Sequence, residues 1–489
     1  MRQRLTLLGV AAALLALGAG VAVQVSDALG LQSEPSIGIP VEDLAVAPAL
    51  VAVSPPRFTS IDAPDDLRTN TALDELRDAI ADAGATAGTA TLTVRFDAVE
   101  PEAEQSYAVS GSAEAITITA PTRAGAVLGV YDLASAVRAG RSVAENLGRT
   151  VDSALPFRMV DLGAVGVKPD PAAYADGTDY SHNSNAFKDV MLAEAPFIDE
   201  AELAVATEEF EAYVRHSLAL GYNAIAVPGF IEYLTFDAVG DGTDVYAADD
   251  PHRARALAMQ KAFGPLLDYA DQLGMKVYMR TDMLALSTPL AEYFDEAFGG
   301  LATEDPRFWD VYRAGLDELY AALPAVDGVV IRIGEAGRVY DLPGWDYYSE
   351  LAVTSVDAVR AMLTTFSEQA EESGREVIFR SWSVGVGAVG DMHTNPESYA
   401  QVLDGIDSPA LVVSTKYSLG DFYSYLPLNT TLETGSQRRI VEFQSRREFE
   451  AFGALPNDLG SLYQTALAHF IAANPNVEGI WTWTQDGGP

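Results

Sequence analysis

After residue 156, the chain repeats one pattern: a strand-like apolar segment, then a segment whose apolar residues recur at helical spacing. Eight apolar segments predict strands, at Arg158–Val165, Tyr222–Gly229, Lys276–Asp282, Gly328–Glu335, Glu376–Trp382, Ala410–Tyr417, Arg439–Gln444 and Val477–Gln485. Helices are predicted at Glu202–Leu220, Arg253–Leu273, Trp309–Leu323, Val356–Ser373 and Leu459–Ala473. Because each crossover helix must cover the outside of a parallel sheet, this alternation predicts a (β/α)8 barrel. A doubly wound open sheet is the alternative, but no glycine-rich phosphate loop follows the first strand.

A smaller region precedes this pattern. Ala90–Phe96 and Ala115–Thr119 alternate or are β-branched and predict strands, whereas Leu73–Ala83 and Ala124–Val137 have helical spacing. We therefore expect a small α/β accessory domain at residues 48–150, followed by the barrel at residues 151–489. The sequence stops directly after the eighth strand, so either the last helix is missing or another element covers that edge.

The beginning of the chain has the layout of an export signal. Arg2 and Arg4 precede an uncharged apolar run, Leu5–Val25, as in a secretory signal or an uncleaved membrane anchor. Residues 1–30 are assigned to this segment and residues 31–47 to a linker, because Ser, Pro, Gly and acidic residues dominate there. A buried core helix is the alternative. The prediction is an exported protein, extracellular or anchored at the cell surface, that meets the membrane only through this segment.

Composition narrows the classes of function. The 70 acidic and 31 basic residues give a net charge of −39, which excludes most nucleic-acid binding because the polyanion would be repelled. The absence of cysteine excludes disulfides, thiolate zinc sites and cysteine nucleophiles. The five histidines lack the His-x-x-x-His and His-x-His spacings, so metal-dependent hydrolysis is not predicted, although loops could still bring histidines together. His182 and His393 follow the first and fifth strands, where a polar loop role is more common than substrate contact.

In such barrels, the catalytic residues lie at the carboxyl ends of the strands. Glu335 ends the fourth strand between glycines, a costly place for a carboxylate whose charge is neither used nor paired. An ion pair with Arg332 or Arg338 is the structural alternative. Other strand ends carry charged and aromatic residues: Arg380 and Trp382 on the fifth, Lys416 and then Asp421 on the sixth, Glu442 on the seventh, and Trp481 and Trp483 on the eighth.

Together these residues favour a carbohydrate site. Sugars offer flat C–H faces to aromatic rings and hydroxyls to polar groups, and glycoside hydrolysis needs two carboxyl groups on opposite sides of the scissile bond. We therefore predict a glycosidase with an oligosaccharide or polysaccharide substrate. The alternative for each residue alone is an ordinary charge at a loop edge.

Several motifs resemble glycoside hydrolase family 67, the α-glucuronidases, over residues 48–489. They are Gly300–Pro306, Asp317–Tyr320, Gly334–Gly337, Lys416–Phe422 and Glu442–Phe449. The stretch Ile116–Tyr131 is similar to the accessory domain that precedes many glycosidase barrels, those of hexosaminidases and α-glucuronidases among them.

The resemblance implies a role for each matching residue. Glu335 would be the general acid of an inverting enzyme, and Asp421 and Glu442 would jointly be, or orient, the general base. Arg380 and Lys416 would bind the carboxylate of a terminal uronic acid. The two catalytic carboxyl groups of an inverting enzyme lie roughly 6.5–9.5 Å apart. The resemblance implies no metal and no cofactor.

The chain also departs from the family pattern, which leaves alternatives open. Asp161–Gly166 replaces the family's Asn-His-Trp-Asp segment, Arg332-Ile333-Gly334 replaces Lys-Ala-Asp, and the C-terminal helical region is absent. One alternative is a substrate-assisted hexosaminidase, which needs adjacent Asp-Glu where this chain has Gly334-Glu335. Others are an inactive sugar-binding barrel and a glycosidase for a neutral or amino sugar. The oligomeric state, a homodimer included, is also open.

Overall fold

The computed structural model describes residues 58–84, 90–101, 104–141, 143–153, 155–168, 186–237, 239, 245–338, 342–383, 385–422, 426–445 and 459–484. The predicted export segment, the linker, His182 and the end of the Glu442–Phe449 motif lie outside the described residues. In the described part of the chain, no helix combines the length and apolar character needed to cross a membrane.

Among its described residues, the accessory region is a five-stranded mixed sheet with two α-helices. Its elements are β1 (Phe58–Asp62), α1 (Leu67–Asp82), β2 (Ala90–Ala98), β3 (Tyr107–Ser112), β4 (Ala115–Thr122), α2 (Arg123–Arg138) and β5 (Thr150–Val151). The strand order is β1-β2-β4-β3-β5, and β3 runs antiparallel to both neighbours. Asp66 and Thr122 cap α1 and α2 by accepting from backbone N–H groups. The helices pack on each other, and α2 packs on β2 and β4.

Eight parallel strands close into a barrel, which confirms the predicted fold class. In chain order they are β6 (Phe157–Asp161), β7 (Ala224–Pro228), β8 (Lys276–Asp282), β10 (Val326–Arg332), β12 (Glu376–Arg380), β13 (Leu411–Lys416), β14 (Arg438–Gln444) and β15 (Val477–Trp483). Pairing of β15 with β6 closes the barrel. Two short strands outside it, β9 (Ala285–Leu286) and β11 (Tyr348–Ser349), form an antiparallel ribbon.

Seven further α-helices lie in the described part of the barrel region: α3 (Glu200–Ala219), α4 (Pro251–Gln272), α5 (Thr288–Phe298), α6 (Pro306–Ala322), α7 (Val356–Ser373), α8 (Pro396–Leu403) and α9 (Gly460–Ala473). The five predicted helices correspond to α3, α4, α6, α7 and α9. The pattern missed α5 and α8, which are short. Their start signals were present, since Ser287 and Asn395 cap them and a proline opens each first turn.

The strand pleat explains how an apolar barrel presents a polar end. Side chains two residues apart on a strand share a face. Buried apolar residues fill the interior and are followed, two or four residues later, by polar ones: Met159 by Asp161, Tyr278 by Arg280 and Asp282, Val330 by Arg332, Ile378 by Arg380, Val412 by Ser414 and Lys416, and Ile440 by Glu442. The carboxyl end of the barrel therefore carries a layer of charged side chains over a filled core.

Candidate active site

The innermost pair of this layer joins β12 to β14. Arg380 donates from Nε and Nη2 to the two carboxylate oxygens of Glu442, both at 2.9 Å. Ser414 donates to the same carboxylate at 2.8 Å, and the indole N–H of Trp483 donates to it at 3.2 Å. Burial alone would raise the pKa of the Glu442 carboxyl, but Arg380, Lys416 and Ser414 hold it below its ordinary value. Glu442 is thus a fully buried carboxylate whose oxygens are both occupied.

Two tryptophans support this guanidinium. The Arg380 guanidinium carbon lies 4.9 Å from the Trp481 ring centroid and 4.1 Å from that of Trp483, and the two ring centroids are 4.5 Å apart. Trp483 also contacts Arg280, whose guanidinium carbon lies 5.0 Å from the ring centroid. Both tryptophans are buried. The structure thus places them as packing partners of arginines, and the sugar contact predicted for them stays a prediction.

Glu335 occupies a more open position beyond the end of β10. Trp382 donates its indole N–H to Glu335 at 2.8 Å, and Arg332 Nη1 lies 2.7 Å from the other carboxylate oxygen. The ion pair with Arg332 is the contact anticipated as the structural alternative. Asp282 holds the opposite edge of Arg332 through two hydrogen bonds of 2.6 Å. The Glu335 side chain is 39% exposed and Arg332 only 10%, so the glutamate is open to solvent while its arginine partner is largely buried.

The residue before Glu335 must be small. A Cβ at Gly334 would lie 2.5 Å from both the carbonyl oxygen of Trp382 and the Cα of Ser383, closer than such atoms approach. Glycine therefore allows the segments after β10 and β12 to touch, which brings Trp382 onto Glu335. An aspartate at this position, as the hexosaminidase alternative requires, would clash with that backbone.

The predicted pair on the sixth strand forms as well. Lys416 makes an ion pair with Asp421, and its Nζ lies 3.4 Å from the ring centroid of Trp382. The pairing of β13 with β14 places Lys416 beside Glu442. A continuous series of contacts thus runs from Glu335 through Trp382 to Lys416 and Asp421. All three predicted carboxylates consequently lie at the carboxyl end of the barrel, with Asp421 30% exposed.

His393 also belongs to this group. Its ring centroid lies 4.6 Å from that of Trp382, and its Nδ1 is 3.0 Å from the Ser383 hydroxyl. Burial and the nearby Lys416 charge lower the pKa of His393 to about 4. The imidazole is therefore neutral at pH 7 and packs against the tryptophan that holds Glu335.

Sequence reasoning missed two acidic residues of this layer. Asp161, fully buried at the end of β6, lies 3.1 Å from Arg280 Nε, and Asp282 ends β8 on Arg332. Both are carboxylates at the end of an apolar strand, the same signal that singled out Glu335. Within the described residues, no three histidine or acidic side chains are arranged to hold a metal ion.

Comparison with known proteins bears on the fold. No family model and no curated protein matches the chain, so the similarity to family 67 rests on its motifs alone. A glycoside hydrolase of family 138 that targets pectin rhamnogalacturonan II is 12% identical, with a TM-score of 0.54 over 87% of this chain and 46% of that one. The family 20 β-N-acetylhexosaminidase of Streptomyces coelicolor is 15% identical, with a TM-score of 0.44 over 88% and 83% of the two chains.

These structural neighbours are glycoside hydrolases with a (β/α)8 barrel. The chain spans a little under half the length of the family 138 enzyme. At such low identity, the likeness to the family 138 enzyme shows a shared fold and nothing more.

Proposed function

We propose that the chain is an exported glycoside hydrolase that works at the carboxyl end of its barrel. The observation that carries the proposal is the series of contacts from Glu335 through Trp382 and Lys416 to Asp421. It links two partly exposed carboxyl groups through one aromatic ring and one cation, and glycosidic bond cleavage needs two such carboxyl groups.

Glu335 is the proposed general acid. To protonate the leaving oxygen, the Glu335 carboxyl must itself be protonated in the substrate complex. A neutral carboxyl no longer forms an ion pair with Arg332. Arg332 can stay in place, because the bidentate contact with Asp282 holds its other edge. The hydrogen bond from Trp382 fixes one oxygen, and the other, which lies 2.7 Å from Arg332, is the one that would carry the proton to the substrate.

Asp421 is the proposed general base. Its side chain is partly exposed and contacts one cation, whereas Glu442 is buried under four hydrogen bonds that leave little room for a water molecule. We therefore assign Glu442 the orienting part of the joint role: it fixes Arg380 and, through the β13–β14 pairing, the position of Lys416. An inverting reaction would then use Glu335 and Asp421.

The proposed substrate ends in a uronic acid, as the family 67 motifs imply. Lys416 is the better placed of the two predicted carboxylate ligands, because Arg380 is already bound on one edge by Glu442 and covered by tryptophans. A uronate would share Lys416 with Asp421. A neutral or amino sugar has no carboxylate to bind Lys416. The preference between a uronoside and its neutral analogue therefore tests this assignment.

A sugar-binding barrel without activity is the second candidate. The observation that favours it is that each of the three carboxylates sits in an ion pair, Glu335 with Arg332, Asp421 with Lys416 and Glu442 with Arg380. Such pairs can hold a site together without any turnover.

One experiment separates these possibilities. The full chain is incubated with matched uronosides, neutral glycosides and N-acetylaminoglycosides, and proton NMR follows the anomeric signals. The proposal predicts release of the uronic acid with inverted configuration, abolished in Glu335→Gln. Binding of a glycan that survives Glu335→Gln, with no product from any substrate, would instead establish the binding barrel.

A further inference from the structure

A second site candidate lies at the opposite, amino-terminal end of the barrel. A cavity of about 230 Å³ opens between the accessory helices and the starts of the barrel strands. Its walls include the first turn of α1, one face of α2, and the beginnings of β6, β8, β14 and β15. The volume lies below the roughly 300–1,000 Å³ of pockets for drug-sized molecules, so the cavity suits a ligand with a single ring.

The charges around this cavity reverse the balance of the chain. Its lining contains the four basic residues Arg68, Arg158, Lys276 and Arg438 but only one acidic residue, Glu478. In the whole chain, acidic residues outnumber basic ones by 70 to 31. A local excess of cations in such an acidic protein attracts anions to this place.

Two of these cations are already neutralised. Lys276 Nζ lies 3.0 Å from Glu376, and Arg438 bridges Glu376 and Glu478, with 2.8 Å from its Nε to Glu478. These two cations and two carboxylates cancel. Arg68 lies on the carboxyl end of α4, where it donates to the carbonyl oxygens of Asp271 and Gln272.

Arg158 is the unusual member of the group. Its guanidinium donates to the carbonyl oxygens of Leu155 and Gly221, to the Gln105 side chain and, at 3.4 Å, to the Ser153 hydroxyl. All four acceptors are neutral, and no described carboxylate forms an ion pair with it. Burial lowers the pKa of Arg158 to about 10, so it still carries its charge at pH 7. A desolvated cation without a counter-ion favours any anion that can reach it.

The opposite wall of the cavity is apolar. Ala124, Val127, Leu128 and Tyr131 recur at helical spacing and form one face of α2 over the cavity. The first three are only partly buried. An occupant would thus meet a cation on the barrel side and hydrocarbon on the helix side.

We propose that this cavity binds a small organic carboxylate, whose carboxylate contacts Arg158 while its apolar part lies against α2. The site joins the accessory region to the barrel and lies at the end remote from Glu335. A ligand bound there contacts both regions, so it should stabilise them together.

Benzoate and its neutral analogue benzamide test this proposal, because they have nearly the same shape and differ in charge. Calorimetric titration of the full chain should show binding of benzoate and at least about ten-fold weaker binding of benzamide, since a hydrogen bond to a charged group is the stronger kind. Benzoate should also raise the thermal unfolding midpoint. Arg158→Gln should weaken benzoate binding by about ten-fold or more.

Two further variants keep the test decisive if Arg158→Gln does not fold. Ala124→Phe fills the cavity and keeps the Arg158 hydrogen bonds, so it should abolish benzoate binding in a folded protein. Arg77→Gln removes an exposed arginine on α1 that pairs with Asp74 and should leave binding unchanged. The proposal is overturned if benzoate does not bind at millimolar concentration, if benzamide binds equally well, or if benzoate binding survives Ala124→Phe.

Discussion

Both ends of the barrel carry networks of ion pairs, but they differ in what surrounds the charges. At the amino end, Glu376 meets Lys276, Arg438 and the Tyr278 hydroxyl, and α2 covers the neighbouring cavity. At the carboxyl end, tryptophan rings lie against the cations, and Glu335 is accessible. Paired charges alone therefore do not identify a catalytic end. Access to a carboxyl group beside an aromatic ring is the distinguishing feature.

The largest expected effect is a difference in catalytic activity between variants at the two ends of the barrel. Glu335→Gln removes the proposed acid and should lower turnover of a natural glycoside by about 10²–10⁴-fold. Glu376→Gln, at the opposite end, should leave the turnover of folded enzyme near the wild-type value. Steady-state kinetics on both variants, corrected for folded fraction, checks this. Equal losses would mean that the difference between the ends is not functional.

The next effect concerns stability at the carboxyl end. Glu442→Gln leaves the buried Arg380 charge without its partner, which should lower the free energy of unfolding by about 3–5 kcal/mol. Lys276→Met at the amino end removes a cation that is 45% exposed, so its ion pair should contribute no more than about 1 kcal/mol. Urea unfolding of the two variants gives the comparison. A larger loss for Lys276→Met would reverse our account of which network is buried.

Acidic pH should weaken the ion pairs at the amino end of the barrel. Burial raises the pKa of Glu376, but Lys276 and Arg438 outweigh it and lower that pKa to about 2. Because this pKa is lower in the folded than in the unfolded state, the Glu376 charge stabilises the folded protein at pH values above the ordinary glutamate pKa. This contribution is lost as the pH falls through about 2. The difference in unfolding free energy between wild type and Glu376→Gln should therefore shrink between pH 5 and pH 2. A constant difference would show that its charge is not involved.

Alkaline pH should have a smaller effect on stability, this time at the carboxyl end of the barrel. Burial opposes the charge of His252, yet hydrogen bonds with Asp346 and Asp250 raise its pKa. This contribution to stability is complete below the ordinary histidine value and is lost as the pH rises through the raised pKa. Wild type should lose more stability than His252→Gln between pH 6 and pH 9, measured by thermal unfolding. Parallel curves for both proteins would contradict the charged interaction.

The barrel could be predicted from the sequence because each strand and helix is indicated by a local pattern of residues. Apolar β-branched runs found all eight strands, and the strand ends singled out Glu335, Lys416 and Asp421 as candidates that the structure places at one end of the barrel. The partner of Glu442 could not be read in this way. Arg380 lies 62 residues away, and whether it faces a substrate or Glu442 depends on how β12, β13 and β14 pair.

Burial at the site was equally hard to predict. Trp481 and Trp483 end the last strand, where an open ring face was expected, but the arginines of β8 and β12 fill the space above them. The cavity at the amino end depends on how the apolar face of α2 meets the barrel, which neither region's pattern contains. Local periodicity thus predicts elements, whereas contacts between distant strands determine which charges stay available.

The leaving-group dependence of Glu335→Gln tests the central claim most directly. Acid assistance matters for a poor leaving group and little for an activated aryl group. Kinetics of the variant on an alkyl uronoside and on a 4-nitrophenyl uronoside compare the two cases. We predict a loss of about 10²–10⁴-fold on the alkyl substrate and a far smaller loss on the aryl substrate. Equal losses on both substrates would contradict the assignment of Glu335 as the general acid.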